Sequence, residues 1–132
     1  MTTKKIKVVR KEPVELEQVT TISKRLDIEN ILKFYKVDSN QRRDVIRFLT
    51  SNSDVIPVLN EAKSQLEKIF GHVPYYLRLE QDPDEGFEVL FIISKLNKTP
   101  SNALSLRDQF GKWLISAHSD LLGRLNLDTE LV

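Results

Sequence analysis

His118-Ser119-Asp120 bring the residue types of a nucleophilic hydrolase triad into three consecutive positions. Consecutive residues on a helix point in different directions, so the three cannot meet at one reacting atom. Such chemistry also needs an oxyanion hole and a group that orients the base. They read as the polar side of a helix end. Glu80, Asp82, Asp84, Glu85 and Glu88 carry the oxygens that a hard cation prefers. Their spacing misses the twelve-residue calcium loop, and Asp82-Pro83-Asp84-Glu85-Gly86 reads first as turn chemistry. A metal-dependent hydrolase using Glu80, Asp82 and Asp128 is an alternative if the strands carrying these acids lie side by side. His72 follows Gly71 and reads as a cation at a helix C-terminus or as a loop residue. His72 and His118 lack the spacing of a helical metal pair. There is no cysteine, which removes thiolate nucleophiles, disulfides and cysteine-bound zinc. Glycines 71, 86, 111 and 123 do not spell a phosphate loop or a dinucleotide fingerprint. The sequence assigns no catalytic residue, no metal site and no cofactor.

Basic residues are the stronger lead. Residues 1–53 hold 12 Lys/Arg against 7 Asp/Glu, and residues 54–132 hold 8 against 12. Lys4, Lys5 and Lys7, with Arg42, Arg43 and Arg47 further on, fit a nucleic-acid-associated regulator. Asp44 among the arginines and a near-neutral net charge of +1 weigh toward a solvated helix face instead. The front segment also carries Val8, Val9, Arg10, Val14, Leu16 and Val19, too sparse in apolar residues to build a core alone. Ile6, Val8 and Val9 suit a short edge strand, and a segment of this kind can wrap a partner or add a strand to it.

The elements that must position these residues follow from periodicity. Residues 1–25 read as a basic arm, and residues 26–132 as one globular domain, long enough for a core without disulfides or metal. Apolar residues at 40% and charged residues at 30% are an ordinary globular balance. Ile28, Ile31, Leu32 and Tyr35 predict a helix, with Asp38 or Ser39 capping a second that runs through Leu49. Ser53 or Asp54 caps a third, with the stripe Ile56, Leu59, Leu66, Ile69 and Phe70 and a terminator at Gly71. Thr99-Pro100 opens a last helix along Ala103, Leu106, Phe110, Trp113, Leu114, Ala117 and Leu121. Gly111 inside it predicts close packing against a strand or a partner.

Between these helices lies the keel. Tyr75, Leu77 and Leu79 alternate with Tyr76, Arg78 and Glu80 as in a strand wet on one face. Phe87, Val89, Phe91 and Ile93 then share one face of a second strand, with Leu90 and Ile92 on the other. A strand apolar on both faces is central and needs two covers. Leu125, Leu127, Thr129 and Leu131 alternate as a third strand, expected parallel to the second and antiparallel beside the first. The fold class is α+β: N-terminal helices, then strand, strand, helix and strand, with a small sheet packed against helices.

Short pieces match a family: Phe48-Leu49, Ile56-Pro57-Val58-Leu59-Asn60-Glu61-Ala62, Leu79-Glu80 with Asp82-Pro83-Asp84, Leu90-Phe91-Ile92-Ile93, Phe110 with Trp113-Leu114, and Leu125 to Glu130. Over residues 40–132 the chain resembles a bacterial family of small α+β proteins with no assigned activity. Ser116-Ala117-His118 departs from the family's more acidic turn. The resemblance implies the α+β fold and a partner encoded in the same operon.

The expectation is a non-enzymatic protein-interaction module, the antitoxin or accessory half of a bacterial two-gene system. It would bind a protein encoded nearby, or a second copy of itself, through the arm and a sheet edge. The basic start lacks the apolar stretch of a secretory signal and no run spans a membrane, so a cytoplasmic location is expected.

Overall fold

A computed structural model describes residues 25–84 and 86–132. In the first described helix, α1 (residues 25–34), Ile28 and Ile31 face the core, followed by Tyr35 just beyond its end. The Tyr35 hydroxyl donates to the Leu59 carbonyl at 2.7 Å, and burial pushes its pKa up. α2 (Arg42–Ser51) buries Val45, Phe48 and Leu49. α3 (Val55–Phe70) buries Ile56, Leu59, Ala62, Leu66 and Phe70, and Gly71 ends it at φ 82°, a conformation that favours a residue without Cβ.

Three strands follow: β1 (Tyr75–Gln81), β2 (Glu88–Leu96) and β3 (Leu125–Leu131). α4 (Pro100–His118) joins β2 to β3. Thr99 caps it as its sequence predicts, the hydroxyl accepting from Asn102 N–H at 3.3 Å with Pro100 in the first turn. A short 3-10 turn, Ser119–Leu121, follows. The described part is thus an α+β fold with a mixed sheet.

The sheet order is β1-β2-β3, with β2 antiparallel to β1 and parallel to β3. This corrects one expectation: β3 lies beside β2 and is separated from β1. Two-sided apolarity already made β2 the central strand, and the parallel β2-α4-β3 crossover places β3 on its free side. The rows Leu79–Leu90–Leu125 and Leu77–Ile92–Leu127 run across all three strands and pack with the helices in one core. Each such leucine or isoleucine stabilises the fold by about 1.5–3 kcal/mol on burial.

The opposite face carries Tyr76, Arg78, Val89, Phe91, Ile93, Lys95, Asp128 and Glu130. Ile93 is only 2% exposed, yet it stands outside the helix-packed core. Crossing polar side chains cover this face. Arg78 reaches Glu130 at 2.7 Å, and Lys95 lies 3.8 Å from Glu130 and 4.3 Å from the Tyr76 ring centre. The Arg78 hydrogen bond holds the Glu130 carboxyl below its ordinary range.

Further local expectations are corrected. Gln41, not Asp38 or Ser39, takes the cap position of α2. Asp54 holds that position on α3, but its carboxylate makes no capping bond. It faces Arg124 at 2.9 and 2.7 Å, a bidentate tie from the start of α3 to the entry of β3. Phe87 precedes β2 and is exposed, because the turn through Asp82 and Gly86 uses its carbonyl to accept from Asp82 N–H. Ala117 is exposed, since α4 turns its last core contact to Leu114.

Candidate functional site

The two outer edges of the sheet differ. Beside β1, Lys36 N–H donates to the Tyr75 carbonyl at 2.8 Å and Leu77 N–H donates to the Lys36 carbonyl at 2.9 Å. Further along, the Gln41 carboxamide pairs with both backbone groups of Leu79. That edge is occupied by the chain itself.

Beside β3 there is no further strand among the described residues. Leu90 N–H donates to the Arg124 carbonyl and Val132 N–H to the Leu96 carbonyl, so even-numbered backbone groups of β3 meet β2. The backbone groups of Leu125, Leu127 and Thr129 therefore point outward. Two of the outward N–H groups are used locally: Leu127 N–H donates to Asn126 Oδ1 and Thr129 N–H to Asp128 Oδ1, each at 2.8 Å. The edge thus offers mainly carbonyl acceptors to anything that docks.

Alongside this edge runs an open groove of about 610 Å³ between α4 and β3, with Phe110, Gly111, Ile115, Leu127 and Asp128 in its walls. Leu104, Ile115, Leu122 and Leu131 stand on these same two elements and the turn joining them, each 47–55% exposed. Positions 104, 108, 111 and 115 recur at helical spacing and so form one stripe along α4. Gly111 is the finding that sequence reasoning explained differently. A Cβ there would meet nothing within 4 Å, so no close packing among the described residues requires the glycine, and its bare position widens the groove. The apolar stripe beside Gly111 was open to a sequence reading, but Leu104 and Ile115 sit one position away from the core stripe and are lost next to it. Arg107 spans the groove wall to Asp128 at 3.7 Å.

No protein family matches this chain, and no curated protein or solved structure does either. The functional reading rests on the placement of the chain's own residues.

Val8, Val9, Arg10, Val14, Leu16 and Val19 lie outside the described residues, as do Lys4, Lys5 and Lys7. Arg42 and Arg43 are exposed on α2. Arg47 is tied to Glu88 by two hydrogen bonds of 3.1 and 2.6 Å, with Asp44 3.9 Å away. The Arg47 bond holds the Glu88 carboxyl below its usual range. A guanidinium engaged in this way is a poorer phosphate ligand than its neighbours.

Glu80 and Asp128 are not brought together. Glu80 pairs with Val89 and Asp128 with Ile93, on strands separated by β2. Strand spacing and rise put their Cα atoms roughly 16 Å apart. Asp82 serves the turn, its Oδ1 accepting from Asp84 N–H at 2.9 Å. No group of three or more His, Asp or Glu among the described residues is placed to hold a metal ion. His118 turns away from Ser119 and Asp120. Its Nε2 lies 2.5 Å from Glu61 Oε2 without the alignment of a hydrogen bond, and its ring meets Trp113 edge-on at 5.5 Å. His72 contacts Glu67 at 3.3 Å, near the end of α3. No described helix is long and apolar enough to cross a membrane.

Proposed function

We propose that this chain is a non-enzymatic protein-interaction module, the antitoxin or accessory half of a bacterial two-gene system acting in the cytoplasm. Its contacts are the N-terminal arm and the outer edge of β3. The supporting observation is the pairing of that edge with a groove of mixed polar and apolar lining that the described residues leave open. Outward carbonyls at Leu125, Leu127 and Thr129 supply backbone acceptors, and Leu104, Ile115, Leu122 and Leu131 supply apolar surface. Backbone pairing gives affinity in strand addition, and neighbouring pockets give specificity.

The test is co-expression with the product of the adjacent gene. A stoichiometric complex on size-exclusion chromatography is expected, weakened by the double substitution Leu104→Lys and Ile115→Lys, since both side chains are about half exposed and their change leaves the core intact. A monodisperse monomer that captures no neighbour and turns over a small substrate would overturn the reading.

A further inference from the structure

We propose that a second copy of this chain docks on the exposed stripe of α4, the two helices lying antiparallel across a two-fold axis that passes between Asp108 and Gly111. This concerns the chain by itself and goes beyond the partner reading above, which stands or falls separately.

The stripe is Leu104, Asp108, Gly111 and Ile115, with Lys112 on its flank. At about 100° per residue the first four fall within about 60° of the helix circumference. They are turned away from Ala103, Phe110 and Leu114, which face the core. Leu104 and Ile115 are 50% and 55% exposed. Asp108 and Lys112 are exposed as well, and neither charged group has an ion-pair or hydrogen-bond partner among the described residues. Arg107 beside them is already committed to Asp128.

These types and spacings are complementary to their own reversal. Leu104 and Ile115 stand about 16 Å apart along the helix axis. Turned end for end about its midpoint, the stripe sets Leu104 level with Ile115 of the second copy. Asp108 then falls within about 1.5 Å, along the axis, of the level of Lys112 of the second copy. Both charges lie on the same flank of the line from Leu104 to Ile115, and a two-fold axis keeps that flank on one side of the contact. One axis thus makes two apolar contacts and two ion pairs. A parallel arrangement would instead set Asp108 against Asp108 and Lys112 against Lys112.

Gly111 agrees with this match. A glycine inside a helix is less favourable than alanine, and no described neighbour within 4 Å of a Cβ requires one here. In the reversed register it falls level with Asp108 of the second copy. Its bare position lets the two backbones approach toward the short end of the spacing of about 8–10 Å between packed helices. The groove bounded by Leu104, Ser105, Asp108 and Lys112 receives Ile115 of the second copy.

The test is sedimentation velocity on the full-length chain purified by itself. A dimer in reversible equilibrium with monomer is expected. Asp108→Lys and Lys112→Asp each set like charges across the contact twice, and each should weaken the dimer about tenfold or more. An equimolar mixture of the two variants restores opposite charges at both places, so a heterodimer of about the parent's affinity should form. A monomer at every accessible concentration would overturn the proposal. So would a dimer that both single substitutions leave intact, or variants that dissociate and do not recombine on mixing. A monomer that still forms a complex with the adjacent gene's product removes this inference alone. A dimer with the expected charge response that captures no neighbour removes the earlier reading alone.

Discussion

The carboxamide of Gln41 and the backbone of Leu79 exchange two hydrogen bonds of 3.0 Å, Nε2 donating to the carbonyl and the Leu79 N–H donating to Oε1. A side chain here imitates the edge of a neighbouring strand. The same commitment explains why Gln41, at the head of α2, makes no capping bond.

Replacing this glutamine tests the relationship. Gln41→Ala removes both bonds and should cost about 1–2 kcal/mol, a fall in melting temperature of about 4–8 °C. Gln41→Glu keeps the acceptor for Leu79 N–H but sets a carboxylate oxygen against the Leu79 carbonyl, so it should fare no better than alanine. Hydrogen exchange at the Leu79 amide should quicken in Gln41→Ala while that of Leu77, held by Lys36, stays slow.

Ser94 gives a change in the opposite direction. It is fully buried in β2 and its hydroxyl has no hydrogen-bond partner among the described residues. An unpaired buried polar group costs about 1–3 kcal/mol. Ser94→Ala should therefore match or exceed the parent's stability in urea denaturation. A loss above about 1 kcal/mol would show that the hydroxyl has a partner.

Acid and alkali should act through different groups. Asp54, Glu88 and Glu130 have depressed pKa values because Arg124, Arg47 and Arg78 hydrogen-bond their charged forms. Their contribution is complete above their unfolded values of about 3.9 for Asp and 4.3 for Glu, and is lost as pH falls through the lower folded values. All three pairs are largely exposed, so the effect is small and fades with salt. At high pH, Tyr75 is pushed up to about 12, mainly by burial, and Tyr35 is raised further. Raised values favour the neutral, folded form, so this stability holds below about pH 10 and falls as pH rises past it. Absorbance at the tyrosinate band should show these two rings ionising together with unfolding. Ionisation in the intact fold would contradict their burial.

Neighbouring isoleucines on β2 should differ in cost. Ile92 is sealed between sheet and helices, and Ile92→Ala should lose about 3–4 kcal/mol. Ile93 stands on the opposite face, beside Tyr76 and outside the helix-packed core, where flexible surface side chains can settle into the vacated space. Ile93→Ala should lose about 1–2 kcal/mol, read from urea midpoints at unchanged slope. Equal losses would mean that the polar cover is as rigid as the helix-packed side.

The keel was legible because Leu90, Ile92 and Ile93 leave a strand no wet face, and helix ends were legible where Thr99, Pro100 and Gly71 have one local use each. The position of β3 was not. Its alternating pattern specifies a half-buried strand but not which neighbour it takes, and that is decided by the crossover through α4. Asp54 misled for a related reason: local rules assign a carboxylate to the nearest backbone, while Arg124 lies 70 residues away, and Gln41 carried no local signal because its partner Leu79 lies 38 residues away. The groove was invisible because Gly111 reads the same whether it meets a tight neighbour or empty space.

One closed margin and one open margin set a limit on growth. Among the described residues the sheet can take a further strand only past β3, so two molecules pairing directly there would use the same surface on each and leave nothing for a third. Assembly through this sheet would end at a pair, and ribbon-like fibres of the native fold would have no propagating end.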